Sequence, residues 1–476
     1  MTSLGSLLCA LPLATQVAAP TIVGPITGPG APALESTTFD LAPFGYREQE
    51  FFIAGTATTY VGDVPLSSDG KWSARPDRTA AYETRLLVRR PTRTRFNGTV
   101  VVEWLNVSGG FDAAPDWIAT HTLLMREGFA WVGVSAQHVG IDGGPPLYRN
   151  LHLRAVNPVR YGSLVHPGDS FSYDLFSQAG EAIRRSPDVL LGGLRPKRLL
   201  AVGESQSAHR LVTYIDAVHP QARIYDGFLV HSRGGDAAPL SEAPEPGIPA
   251  PRVTLIRDDL DVPVLTVETE TDVVGIGFLA ARQPDGRNLR TWEIAGTAHV
   301  DTYLAVVGRA DDGRAAVDTT YLPPVQSILD GTVTCDRPIN AGPQHYVLSA
   351  ALHRLAGWAR HERAPASAVP LVVDPGFPPR IRRDDLGNAF GGIRTPQVDV
   401  PIAALSGSGQ TLDACERFGT TIAFDAATLA RLYPDHRSYV AAVRRATKRA
   451  VERGWLLRID AGAIRRAATA SAIGRR

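Results

Sequence analysis

The chain has 476 residues, 44% of them hydrophobic, and a nearly balanced charge of 49 Lys and Arg against 48 Asp and Glu, which allows one large core with insertions or two to three domains. A net charge of +1 gives no global field to hold a polyanion, so nucleic acid is not an expected partner. Three cysteines without CxxC spacing exclude a disulfide scaffold and a structural zinc site, and leave Cys335 and Cys415 as one candidate pair if the chain is exported.

In chain order, the first feature is a leader over residues 1–19, with an apolar run from Leu4 to Ala14 and the small pair Ala18 Ala19. It has part of a secretory signal but no Lys or Arg before Arg47, and Pro20 follows the cleavage point. Export is therefore the expectation, with a cytoplasmic location as the alternative. No later stretch has the eighteen or so uncharged apolar residues of a membrane span. Residues 50–60 and 81–88 read as flanking antiparallel strands. Short apolar runs then predict strands at 99–105, 129–135, 198–202, 225–230, 262–267 and 289–294, with amphipathic helical segments at 117–127, 173–186 and 207–218 between them. Continuous apolar strands alternating with helices predict an α/β fold, a mostly parallel sheet covered on both faces. Residues 231–261 form an insertion rich in Pro, Ala and Gly, placed to act as a lid. A helix at 345–361 closes the sheet, and residues 366–476 form a C-terminal extension. No internal repeat is visible.

The most informative motif is Gly203 Glu204 Ser205 Gln206 Ser207, entered by the apolar run Leu199 Leu200 Ala201 Val202 and left by a helical pattern. A serine at such a strand-to-helix turn is held in a strained conformation, so the positions two before and two after must be small. Gly203 and Ser207 are small. Slipping the register to Ser207 would put bulky His209 at the second small position, so Ser205 is the candidate nucleophile. A serine of this kind needs a base and an acid, in chain order Ser, acid, His. His299 follows the 289–294 strand and Asp272 follows the 262–267 strand, both at the carboxyl edge where sites of open α/β sheets form. Glu268 and Glu270 compete with Asp272 for the acid role, and Asp272 also reads as an N-cap of a helix over 273–280. Other histidines, His138, His209 and His231 among them, read as structural or solvated.

An oxyanion hole would combine the N–H of Gln206 with one from Trp104 Leu105 Asn106 Val107 Ser108 Gly109 Gly110, where Val107 is the first choice and Asn106 the alternative. A GxGxxA match at 275–280 raises a nucleotide-binding alternative, but five polar residues and two valines separate its glycines from the strand end where a phosphate turn would begin. No HExxH run or Cys cluster is present, so neither a metal nor a cofactor is expected.

The segments EWLNVSGG, GFAWVGVSAQ, VGESQSAHRL, TETDV and AGTAH, with PTIVGPITG and STTFDLAPFGY near the start and the distal run 387–401, make the chain resemble the α/β-hydrolase superfamily. More narrowly, it is similar to a bacterial group labelled alpha/beta hydrolase domain. The resemblance covers nearly everything after the leader, so it implies one domain over 20–476 with the extension integral to it. It implies a serine hydrolase acting most simply on small or polymeric carboxylic esters, with an acyltransferase, lactonase, peptidase or non-catalytic binding protein as alternatives. It departs from the superfamily elbow in having Ser207 where glycine is usual. The Gly-rich loop around Asn388 and Arg394 has two readings: substrate contact at the pocket mouth, or a scaffold turn with Arg394 in an ion pair.

Overall fold

The computed structural model describes residues 17–144, 150–315, 317–328 and 331–475; most of the candidate leader lies outside them. Among the described residues nine strands form one sheet: β1 (Thr21–Val23), β2 (Tyr46–Gly62), β3 (Ala74–Pro91), β4 (Thr99–Trp104), β5 (Ala130–Val134), β6 (Arg198–Glu204), β7 (Gly227–His231), β8 (Val264–Thr269) and β9 (Leu289–Ile294). Their spatial order is β1-β2-β3-β5-β4-β6-β7-β8-β9. Strands β1, β2, β3 and β5 pair antiparallel, and the remaining pairs from β5 through β4 to β9 are parallel. This is the α/β-hydrolase architecture. The winding direction reverses at β4, which opens a crevice beyond the carboxyl ends of the parallel strands.

The parallel strands read as unbroken apolar runs because both faces are covered. Val100, Val102, Leu199 and Ala201 point into one core with Phe176, Leu211 and Val212 of the helices Ser172–Arg185 and Gln206–Thr213. Val101, Leu200, Leu229 and Leu265 point into the other, with Trp117 and Leu348 of the helices Pro115–Glu127 and Gln344–His361. The first of that second pair starts at Pro115, whose missing N–H costs nothing there. The buried Glu103 carboxyl of β4 accepts from the N–H groups of the next two helix residues, Asp116 and Trp117, each at 2.9 Å. Gly128 in the left-handed region (φ +72°) ends that helix.

The structure revises some expected elements. The helix expected over 207–218 is α-helical to Thr213, then widens into a π turn at Tyr214–Val218. The helix expected over 273–280 is instead Glu270–Val274 followed by a 3-10 turn, Phe278–Ala281. The insertion after β7 is tied down along its length: Thr213 Oγ1 and the Tyr173 hydroxyl donate to the carbonyls of Ala238 and Pro239, both at 2.5 Å, and Leu255 N donates to Ser68 O at 2.8 Å. The C-terminal extension carries two hairpins, β12–β13 (Val373–Asp374, Arg380–Ile381) and β14–β15 (Ala403–Ser406, Thr420–Ala423), following a small β10–β11 ribbon (Ser327–Ile328, Val333–Thr334). Helices His436–Arg453 and Arg458–Ala470 complete it. Ile393 bonds to both Glu293 and Ala295, which attaches the extension to the edge of β9. Cys335 and Cys415 form a disulfide across 80 residues. Among the described residues, no helix is long and apolar enough to cross a membrane.

The antiparallel flank is joined to the parallel sheet through a buried charge cluster. Arg85 of β3 is fully buried, with Nη2 at 2.7 Å from Asp112 Oδ2, Nε at 2.9 Å from Ser135 Oγ and Nη1 at 3.7 Å from Glu50 Oε1. Glu50 also holds Arg160 at 2.6 Å. Removing one member leaves an unanswered buried charge. Arg85→Ala is expected to destabilise the protein by about 3–5 kcal/mol, read as a fall in the denaturant midpoint without loss of cooperativity.

Candidate active site

Ser205 follows the last residue of β6 and precedes the first residue of the helix Gln206–Thr213. Its backbone sits at φ +56°, ψ −119°, a region that costs a non-glycine residue about 1–3 kcal/mol and persists only where the surroundings impose it. The Ser205 N–H donates to His231 O of β7 at 2.9 Å, and its carbonyl accepts from His209 N at 3.1 Å. A Cβ at Gly203 would stand 3.1 Å from the backbone of Ser207, tighter than an ordinary contact, so that crossing favours glycine on the strand side. The buried Ser207 side chain is accommodated on the helix side.

His299 lies in the loop after β9. Its Nε2 is 2.8 Å from Ser205 Oγ, and its Nδ1 is 2.7 Å from Asp272 Oδ1. Asp272 is not the helix N-cap; Thr269 is, and Asp272, the third residue of the helix, closes a capping box with it. Its Oδ2 accepts from Thr269 N at 2.6 Å while Oδ1 faces His299. One carboxylate oxygen therefore anchors the group and the other orients the imidazole. Burial opposes ionisation of Asp272, but the His299 charge and the hydrogen bonds from His299 and Thr269 outweigh it and hold the carboxyl below its ordinary range. Burial likewise opposes protonation of His299. The Asp272 charge and hydrogen bond, reinforced by Glu204, overcome that and raise its pKa above 6.5. This chain can pass a proton from a serine hydroxyl to an imidazole whose tautomer is fixed.

Neither competing acid bonds to His299 among the described residues. Glu270 accepts from Gly296 N at 2.6 Å, from Arg383 at 2.6 Å and from Gly407 N at 3.0 Å. Glu268 is buried, and among the described residues neither of its oxygens has a well-formed hydrogen bond. At the other side of the crevice, Asn106 N donates to Ala113 O at 2.9 Å, and its side chain bridges the Glu204 carbonyl and carboxylate at 3.0 Å each. The Asn106 backbone donor is thus spent, which removes it as the alternative. Val107 N and Gln206 N have no hydrogen-bond acceptor among the described residues.

Two expected substrate contacts are scaffold. Arg394 is paired with Asp399 at 2.9 Å and Asp384 at 3.7 Å and also donates to the carbonyls of Ala389 and Val398. Asn388 is fully buried, donating to Ala403 O at 3.2 Å and accepting from Leu405 N at 3.0 Å. Both side chains close the hairpin connections of the extension. His231, read as structural, is buried against Asp116 at 2.9 Å.

What motif reasoning missed is the frame around the His299 loop. Thr271 Oγ1 accepts from His299 N at 3.2 Å and donates to Gly407 O at 2.6 Å. Val300 N donates to Arg417 O at 3.1 Å, and Asn340 Nδ2 bridges the carbonyls of Gly296 and Ser406. Asn340 and Thr271 act here through their side chains, as Glu270 does at Gly296 and Gly407, and no local spacing announces them. Cavities of about 430 and 410 Å³ lie beside Arg89 and beside Tyr303, and neither is lined by Ser205, His299 or Asp272.

A family model described as alpha/beta hydrolase domain matches residues 18–466. The chain belongs to that family. No curated protein sequence is significantly similar to it. Solved structures similar to this alpha/beta hydrolase include a dienelactone hydrolase from Anabaena variabilis, at 11% identity over 50% of this chain and 86% of that one, with a TM-score of 0.26. An esterase from Pseudomonas putida matches at 12% over 54% and 75%, TM-score 0.27. The carboxylesterase Cest-2923 from Lactobacillus plantarum matches at 8% over 48% and 75%, TM-score 0.25. Nothing about substrate follows from likeness at that level.

Arg394→Ala is expected to lower stability by about 1–3 kcal/mol through its lost charge-assisted bonds. Thermal melting against a panel of p-nitrophenyl esters checks this: the midpoint falls and the rank order of esters is unchanged.

Proposed function

We propose that the protein is a serine-dependent carboxylic ester hydrolase working through an acyl-enzyme. The observation that carries this reading is the continuous hydrogen-bonded chain from Ser205 Oγ through His299 to Asp272, at 2.8 and 2.7 Å. In this mechanism His299 takes the Ser205 proton as Oγ attacks the ester carbonyl, and then gives it to the leaving alcohol. Water reverses the sequence to release the acid. Asp272 keeps Nε2 free to act and answers the imidazolium charge. The free N–H groups of Gln206 and Val107 are the proposed oxyanion donors, and the helix that starts at Gln206 adds its positive dipole end. The Cys335–Cys415 disulfide supports export as the accompanying proposal, because such bonds persist in oxidising compartments. N-terminal sequencing of protein recovered from outside the cytoplasm tests it.

Fluorophosphonate labelling followed by peptide mapping tests the reading directly. Modification is expected at Ser205 alone and absent in Ser205→Ala, whose turnover should fall by roughly four to six decades. A Ser205→Ala variant within tenfold of wild type sinks the proposal. Asp272→Asn should lose about four decades.

The pH dependence has a definite sign. Only neutral His299 can act as base, and its pKa is raised above 6.5. Activity should therefore be full above that raised value and fall as pH drops through it, so the acidic limb of kcat/KM lies above the ordinary histidine range. A limb centred below pH 6.5 contradicts this.

A further inference from the structure

Glu204 is the residue before Ser205, and nothing in the mechanism above uses it. Its side chain is only 6% exposed. The Asn106 amide holds Oε2 at 3.0 Å, while Oε1 has no hydrogen-bond partner among the described residues and stands 3.6 Å from His299 Nε2. Burying a carboxylate is costly unless a cation answers it. A glutamine here would keep the Asn106 contact without that cost.

The charged groups facing Glu204 are few. His231 lies opposite it in the β6–β7 register, and Asp116 and Asp272 lie beyond. His231 already has its own carboxylate, Asp116, at 2.9 Å, and the Gln344 amide at its other nitrogen, also at 2.9 Å. His299 is faced by Asp272 on the Nδ1 side, by Glu204 on the Nε2 side, by the opposing charge of Arg417, and by the His209 imidazole, whose pKa burial lowers to about 4. Positive charge forming on His299 is thus answered at Nδ1 by Asp272 and, at Nε2, by Glu204.

We propose that Glu204 is a positioning residue for the reaction, a second counter-ion held by Asn106 against the Nε2 side of the His299 imidazolium. This rests on the reading of Ser205 and His299 as nucleophile and base. At 3.6 Å the carboxylate is close enough to stabilise the charge and too far for a good hydrogen bond. The proton taken from Ser205 Oγ as the Oγ–C bond forms therefore stays on Nε2. It leaves for the alcohol oxygen as the ester C–O bond breaks, and Glu204 takes no proton. In support of the geometry, Glu204 contributes to raising the His299 pKa; burial holds the Glu204 carboxyl itself above its ordinary range, with the charges of His299 and His231 working against that rise.

The test is Glu204→Gln, with two readouts on full-length protein. Ring-labelled histidine NMR, with the His299 signal assigned by its loss in His299→Asn, should show the His299 pKa falling by about one unit, the low end for removing an opposite charge at this range. The acidic limb of kcat/KM for p-nitrophenyl acetate should move down by the same amount, and kcat on the plateau should fall by up to about tenfold with KM little changed. A His299 pKa that does not move, or that rises, overturns the proposal even if activity drops. If the glutamine variant does not fold, Glu204→Asp draws the charge back by one methylene. It should give a smaller downward shift, and no shift overturns the proposal. A wild-type protein that neither hydrolyses esters nor labels at Ser205 refutes the hydrolase reading instead, and the NMR titration still decides whether Glu204 and His299 are coupled.

Discussion

A non-glycine residue held at φ +56° has no local reason to stay there, and the geometry of the whole site follows from what keeps Ser205 in that state. The restraint is the neighbouring strand. Ser205 N bonds to His231 O, and one residue further on Ser232 is itself left-handed at φ +54°, its N–H bonded to Val267 O. Two adjacent strands, β6 and β7, therefore end in coordinated turns, each fixed by a carbonyl of the next strand in the sheet. The turn at Ser205 points the hydroxyl out of the sheet edge and starts the helix Gln206–Thr213 immediately behind it. The first N–H of that helix has no intrahelical partner, so the strain that exposes the nucleophile also leaves a donor beside it.

The base is held differently. His299 lies in a loop between β9 and the extension, and loops need outside partners to be rigid. Those partners come from distant parts of the chain: Gly407, Asn340 and Arg417, with the Cys335–Cys415 bond joining two of the contributing segments. A Cβ at Gly407 would lie 2.5 Å from Thr271 N, which shows how closely the extension approaches the acid and base loops. The extension therefore does structural work at the site although it supplies none of Ser205, His299 or Asp272.

That division explains what could be read in the sequence. The sheet was legible because strands buried on both faces must be apolar throughout. The six predicted parallel strands all exist, with ends displaced by no more than about two residues, within ordinary boundary scatter. Ser205, Asp272 and His299 were legible because each follows directly on a strand, so chain order and strand order together place them at one edge. Arg394 and Asn388 were not. Their residue types suit both ligand binding and turn closure, and only tertiary contacts distinguish an arginine facing Asp399 from one facing a pocket. Asn340 and Thr271 act on backbone carbonyls and N–H groups, which every residue has, so no pattern of side chains marks their targets. The same holds for Asn106. Its type fits a donor near an oxyanion, but its backbone N–H is committed to Ala113 and its amide to Glu204.

Four acids crowd the ends of β6 and β8, and their environments give them four different states. Asp272 is ionised because His299 and the Thr269 backbone both favour its charge. Glu270 has three donors around its carboxylate and anchors the loops of Gly296 and Gly407. Glu268 has burial against it, the Asp272 charge adding to that, and among the described residues no well-formed hydrogen bond to either oxygen, so its pKa is driven well above the carboxylate range and it is neutral despite the charge and backbone N–H of Arg233 nearby. A neutral Glu268 spares Asp272 a like charge nearby, since two such charges in a dry interior would raise one another. Glu204 is held between two imidazoles. The residue types along these strand ends are nearly interchangeable, and the number and sign of their neighbours is what separates an orienting acid from a scaffold acceptor and from a buried neutral group.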